Sequence, residues 1–217
     1  MNKTSGNLVI LITFLLLQYV IVTVFLMLNY DGGNLLHPHA NHFILDRNYL
    51  SDLGRSITFN GQKNNLYFLY TLTLGLVGIA TILFTAVLSK SILLKHRFLP
   101  VFFGWIAGIG YIGIALTPVN QNLQAHIIFG KLAFLGFFVA SILISVLMNR
   151  KKYSGIFKLI SVLNFLLFFY LLLMFFGPHS SDGIQALQIK TIAQKSTVYL
   201  QIFLSVLILV RLQTIKS

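Results

Sequence analysis

Apolar residues in this chain gather in unbroken runs, without the strict alternation of a half-buried strand or the one-sided spacing of a surface helix. Six runs are long enough to cross a bilayer: Leu8 to Leu28, Leu66 to Leu88, Phe98 to Thr117, Ala125 to Met148, Ile156 to Phe176 and Ile192 to Val210. Each is near the ~20 residues that a hydrocarbon core requires of a helix. In lipid a spanning segment must satisfy its own backbone N–H and C=O groups, and these runs exceed the length of a barrel strand, so all six predict helices. The first follows Lys3 as a signal peptide would, but it outlasts the usual ~7–15-residue apolar core and ends in MLNYDGG without a small-residue cleavage site. It predicts an uncleaved anchor. The expectation is an all-α polytopic membrane protein, one six-transmembrane-helix bundle over residues 1–217.

Of the polar connections, only the one from Asn29 to Asn65 is long. Loops beyond about 12–15 residues are usually functional or disordered. This one holds the turn formers of DGGN, HPHANH and FNGQ, yet also Phe43, Ile44, Leu45, Tyr49, Leu50 and Leu53. That is too apolar for a solvated linker, and it predicts a partly structured loop folded onto the mouth of the bundle.

Composition adds exclusions. With 57% apolar and 9% charged residues the chain is not an ordinary soluble domain. The absence of cysteine rules out disulfides, thiolate metal sites and cysteine nucleophiles. The net charge of +12 is scattered between apolar runs, so nucleic acid is not an expected partner. Its distribution is topological instead. Lys3, Lys90, Lys95, Arg97, Arg150, Lys151, Lys152, Lys158, Arg211 and Lys216 fall on one side with no acid among them. By the positive-inside rule that side is cytoplasmic, with both termini inside a plasma (inner) membrane and the long loop outside. The opposite loops balance Asp31, Asp46, Asp52 and Asp182 against Arg47, Arg55, Lys63 and Lys190.

Two basic residues remain, Lys131 and Lys195, both inside predicted spans. Intramembrane charge marks function or snorkels to the interface. Lys131 lies about 9 Å along its predicted helix. No glutamate exists and no aspartate lies in a span, so a partner for either lysine must come from the loops or from a ligand. Asp52, in NYLSDLGR, is the internal candidate, and an anionic phospholipid headgroup is the external one. His126, five residues before Lys131, is a candidate acid or base at the same mouth, or an interfacial histidine bonded locally. His37, His39 and His42 in HPHANH have no H-E-x-x-H spacing, so no metal site is assigned. Gly104 and Gly108 form a G-x-x-x-G for close packing within the bundle, and Trp105, Tyr30, Tyr67 and Tyr70 suit interface anchoring or packing.

The stretches YLSDLGR, NNLYFLYTLTLGLVG, GIALTPVNQNLQAH and AQKSTVYLQ together resemble the six-span family catalogued as domain of unknown function 998. They are more distantly similar to DRAM, Frag and Sfk-type membrane proteins, in which a loop serine-aspartate-glycine motif and a Gln-Lys pair before the last helix recur. The resemblance falls on Ser51, Asp52, Gly54, Pro118, His126, Gln194 and Lys195, and departs at Asn120, where the family often carries an acid. It implies the six-helix fold and no particular reaction.

Three functions follow as expectations. The first is a polar cleft of Asp52, Arg55, His126, Lys131 and Lys195 on the extracytoplasmic side, which binds or handles an anionic lipid headgroup or small amphiphile without a cofactor. The second is a metal-dependent intramembrane lipid hydrolase, with zinc-bound water as its nucleophile. The third is a structural subunit whose loop docks a membrane-protein partner. A transporter fits less well, since neither inverted halves nor acidic coupling residues are evident.

Overall fold

The structure, a computed structural model, describes residues 3–93 and 97–216, with side chains over 6–93 and 97–215. Lys95 lies outside the described residues, as do the side chains of Lys3 and Lys216. Among the described residues there are six α-helices: α1 (Lys3–Leu28), α2 (Tyr67–Ile92), α3 (Phe98–Leu116), α4 (Leu123–Leu147), α5 (Ser154–Phe176) and α6 (Ile184–Lys216). All six are long and apolar enough to cross a membrane. They are apolar on every side, as helices are when one face meets the bundle and the other meets lipid. Phe14, Phe25, Phe68, Trp105, Phe165 and Phe203, for example, point outward and exposed. Trp105 therefore suits the lipid-facing role, whereas Tyr70 is buried.

Local chemistry sets the helix ends. Asn122 caps α4, its side-chain oxygen accepting the Ala125 N–H at 3.0 Å. Gly177-Pro178 closes α5, and Gly183, at φ +128°, turns the chain into α6. The 33 residues of α6 run about 50 Å, more than the ~30 Å core. It starts eight residues earlier than the apolar run suggested, and Ala186, Leu187 and Thr191 are buried on one face of that extension.

Each helix packs on its neighbours in chain order, and α6 returns to α1, so the six form a closed ring. The tightest seams flank α3. A Cβ on Gly108 would lie 2.6 Å from the Gly78 carbonyl oxygen of α2, and one on Gly110 would lie 2.5 Å from the Ala133 nitrogen of α4. The small-residue motif is thus used inside the chain, as expected. Residues 29–65 cover one end of the ring, the loop end. The other end carries Lys90, Arg97, Arg150, Lys151, Lys152, Lys158 and Arg211, all exposed. Toward that basic end the ring is filled solid by Ile156, Ile160, Leu163, Ile208, Leu209 and Leu212.

Candidate functional site: a capped cavity on the ring axis

The long loop is folded through its asparagines. Asn34 accepts the N–H groups of Leu36 and His37, at 3.1 and 3.0 Å. Asn48, fully buried, accepts the Ile44 N–H at 2.9 Å and donates to the Gly33 carbonyl at 2.6 Å. Asn64 donates to the Leu53 carbonyl and accepts the Leu66 N–H. These side chains replace a sheet ladder as partners for the loop backbone. The result presents a short 3-10 helix, Leu50–Gly54, every residue of which is buried. Leu50 and Leu53 point into the core, and a Cβ on Gly54 would fall on the Tyr70 ring, 2.8 Å from one of its carbons.

Asp52 has a definite task in this cap. Its Oδ2 accepts the Tyr49 N–H at 2.8 Å and an Asn48 amide N–H at 3.2 Å, while its own N–H donates to the Tyr49 carbonyl at 3.2 Å. A carboxylate three residues into a helix thus satisfies the donor that the turn leaves free. Only 4% of Asp52 is exposed, and burial pushes its carboxyl up to about 6. The Tyr49 N–H, the Arg55 charge, the Asn48 amide and the Lys195 charge act against that rise. Burial likewise raises the Tyr49 phenol.

Lys195 does not snorkel. It is 6% exposed, and its ammonium donates to the Asn48 carbonyl and, at 3.1 Å, to the Thr191 carbonyl, lying 5.7 Å from the centre of the Phe43 ring. Asp52 supplies field rather than a direct ion pair, since among the described residues no Asp52–Lys195 contact reaches salt-bridge distance. Beside it the Gln194 side-chain oxygen accepts the Leu50 N–H at 2.8 Å. The SDLG and Gln-Lys stretches, 140 residues apart, therefore meet: α6 holds the first turn of the cap by two adjacent side chains. Gln188 and Thr191 bind Asp46, and Tyr49 meets Ser180 hydroxyl to hydroxyl at 2.6 Å. At the far edge Asn120 accepts the Ser56 N–H and donates to its hydroxyl, both at 3.0 Å.

Beneath the cap is a cavity of about 670 Å³ on the ring axis, with residues from all six helices in its wall. Tyr49, Leu50 and Ser51 form part of its lining at the cap. Its mouth carries His126, Lys131, His179 and Lys190, and no carboxylate is among its lining residues. Lys131, half-buried, sits 4.8 Å over the Phe175 ring. The His126 Nδ1–H donates to the Thr117 carbonyl at 2.7 Å, which in the neutral ring leaves Nε2 as an acceptor. Farther in the wall is apolar and aromatic, with Leu16, Leu74, Val77, Phe134 and Ile202, interrupted by the hydroxyls of Tyr19, Tyr70, Tyr111 and Tyr170 and by Gln201 and Ser205. The inner end closes on the Phe84 and Phe137 rings, 6.0 Å apart, which also border a void of only about 10 Å³ on the other side.

The five residues singled out from the sequence therefore divide. His126 and Lys131 line the cavity. Asp52 and Lys195 lie in the cap and hold it together, and Arg55 stacks 3.9 Å over Phe59 and donates to the Ile57 carbonyl. Lys190, His179 and Gln201 were not singled out. Lys190 counts as a loop charge in the sequence, but the early start of α6 sets Lys190, Gln194, Gln201 and Ser205 along one helical face, a spacing readable once the helix is extended. Among the described residues no three His, Asp or Glu side chains gather closely enough to hold a metal.

The profile of a family described as protein of unknown function, DUF998, matches residues 19–211. No curated protein and no solved structure matches the chain. The more distant likeness to DRAM, Frag and Sfk-type proteins gains no support from these comparisons.

Proposed function

The chain belongs to the DUF998 family of proteins of unknown function, and we propose that it binds an anionic amphiphile in the cavity on its ring axis. One observation carries the reading: a cavity of ligand size, about 670 Å³, has two lysines and two histidines at its mouth, no carboxylate in its wall, and an apolar aromatic interior. An anionic headgroup, phosphate or carboxylate, meets Lys131 and Lys190 there, with the Tyr49–Ser180 hydroxyl pair close by. Its chain lies between Leu74, Phe134 and Ile202. Two half-buried lysines at one mouth repel each other, and a bound anion relieves that repulsion. Asp52 and Lys195 act one step away, by keeping the cap closed over the cavity. The charge asymmetry of the connections supports a loop end that faces outward, so the ligand enters from the extracytoplasmic leaflet.

Native mass spectrometry of the detergent-solubilised protein tests this with oleate, oleoyl lysophosphatidate and the zwitterionic oleoyl lysophosphatidylcholine. The expected result is one retained equivalent of at least one of the two anionic probes, in preference to the zwitterion. A Lys131→Ala, Lys190→Ala double variant weakens retention about tenfold or more, as loss of a charge-assisted contact demands. Equal retention of all three probes, or an unchanged double variant, overturns the proposal.

A further inference from the structure

The inner half of the cavity has polar groups that the headgroup reading leaves unused. Gln201 is 5% exposed and Ser205 3%, and both line the cavity. The Gln201 side-chain oxygen accepts the Tyr111 hydroxyl at 3.0 Å. Its amide nitrogen has no hydrogen-bond partner among the described residues, and neither has the Ser205 hydroxyl or that of Tyr170. None of these atoms is sealed from the cavity, unlike the Ser89 hydroxyl, which is buried without a partner. Unpaired donors at this depth are expensive unless something in the cavity accepts from them.

The placement is regular. Gln194, Gln201 and Ser205 stand at i, i+7 and i+11 on the cavity face of α6, so Gln201 lies about 10 Å and Ser205 about 16 Å inward from the residue that holds the cap. Aromatic rings surround that level, with Tyr111 edge-on to Phe134 at 5.9 Å and Phe134 to Tyr170 at 4.7 Å.

We infer that the ligand has two polar ends: the inner half of the cavity is a second, uncharged subsite, in which the Gln201 amide and the Ser205 and Tyr170 hydroxyls bind an oxygen acceptor on the far part of the amphiphile. This rests on the headgroup reading above and narrows its ligand class from plain acyl chains to chains or ring systems with a hydroxyl or carbonyl about 16 Å from the anionic group, the rise over the eleven residues from Lys190 to Gln201. The subsite is built of donors without charge, so it selects a neutral oxygen rather than a second anion.

The test compares dodecanoate with 12-hydroxydodecanoate, each displacing tritiated dodecanoate from the whole protein in nanodiscs. The hydroxylated probe should bind about fivefold tighter, the worth of one net hydrogen bond. Gln201→Leu should abolish that preference, read as the ratio of the two probes' affinities within the same variant, and Ser205→Ala, the smaller change, should reduce it. Equal affinity of the two probes for the wild-type protein overturns the inference and leaves the headgroup reading standing. So does a preference that survives in both variants. If dodecanoate does not bind at all, the headgroup reading fails and this inference fails with it.

Discussion

Lys195→Met removes the latch between α6 and the cap while nearly keeping the volume of the side chain. The ammonium makes two hydrogen bonds, to the Asn48 and Thr191 carbonyls. Hydrogen bonds from a charged donor are worth about 1.5–3 kcal/mol each, and part of that returns when the buried charge no longer has to be desolvated. A net loss of about 3 kcal/mol for cap closure follows, which raises the open population about 100-fold. Hydrogen exchange reads this directly. The Tyr49 N–H is bonded to Asp52, the Leu50 N–H to Gln194 and the Asp52 N–H to the Tyr49 carbonyl, so all three amides exchange only when the cap lifts. In the variant they should exchange about 100-fold faster, while amides in the solid half of α6 around Ile208 keep their rates. Lys63→Met, at an exposed lysine on the same loop, is the control. Exchange at Tyr49, Leu50 and Asp52 that rises less than about threefold would refute the assignment of Lys195 as the latch.

Three further outcomes follow from the same geometry. The Asp52 carboxyl is raised from 3.8 to about 6 by burial, so its proton is held more tightly in the folded chain. Its contribution to stability is complete below about pH 4 and is lost as pH rises through 6, about 3 kcal/mol in all. The apparent melting temperature should therefore climb as pH falls from 7 to 4.5, and Asp52→Asn should flatten that slope. Gly108→Ala forces a methyl against the Gly78 carbonyl oxygen and should cost about 1–3 kcal/mol in a detergent unfolding titration. Gly75→Ala, in open space on α2, should be neutral or slightly stabilising. Asn164→Leu breaks the Ser141–Asn164–Ser145 bridge between α4 and α5 and should cost about 1 kcal/mol, in keeping with interhelical hydrogen bonds in lipid.

The helices were legible because a bilayer admits so few backbone solutions, and the apolar runs mark five of the six within a few residues. The sixth reaches outward because Leu187 and Thr191 pack under the loop and Gln188 and Thr191 bind Asp46, tertiary contacts that hydropathy averaging does not register. The sequence flagged Lys195 as a charge without a transmembrane counter-ion. Its main partner, the Asn48 carbonyl, was out of reach of sequence, because a backbone acceptor belongs to every residue type. Arg55 behaves locally, stacked on a phenylalanine four residues on. The cavity needed the ring order itself, since its wall takes side chains from all six helices and becomes a wall only when α6 closes on α1.

The central claim is that the cavity holds an anionic amphiphile, and an experimental density map of the protein in nanodiscs made with a native lipid extract tests it most directly. The account predicts elongated density on the ring axis, with its polar end within hydrogen-bond distance of Lys131 and Lys190 and its far end at Gln201. A cavity filled only with ordered water, or density confined to the outer lipid-facing surface of the helices, would contradict it.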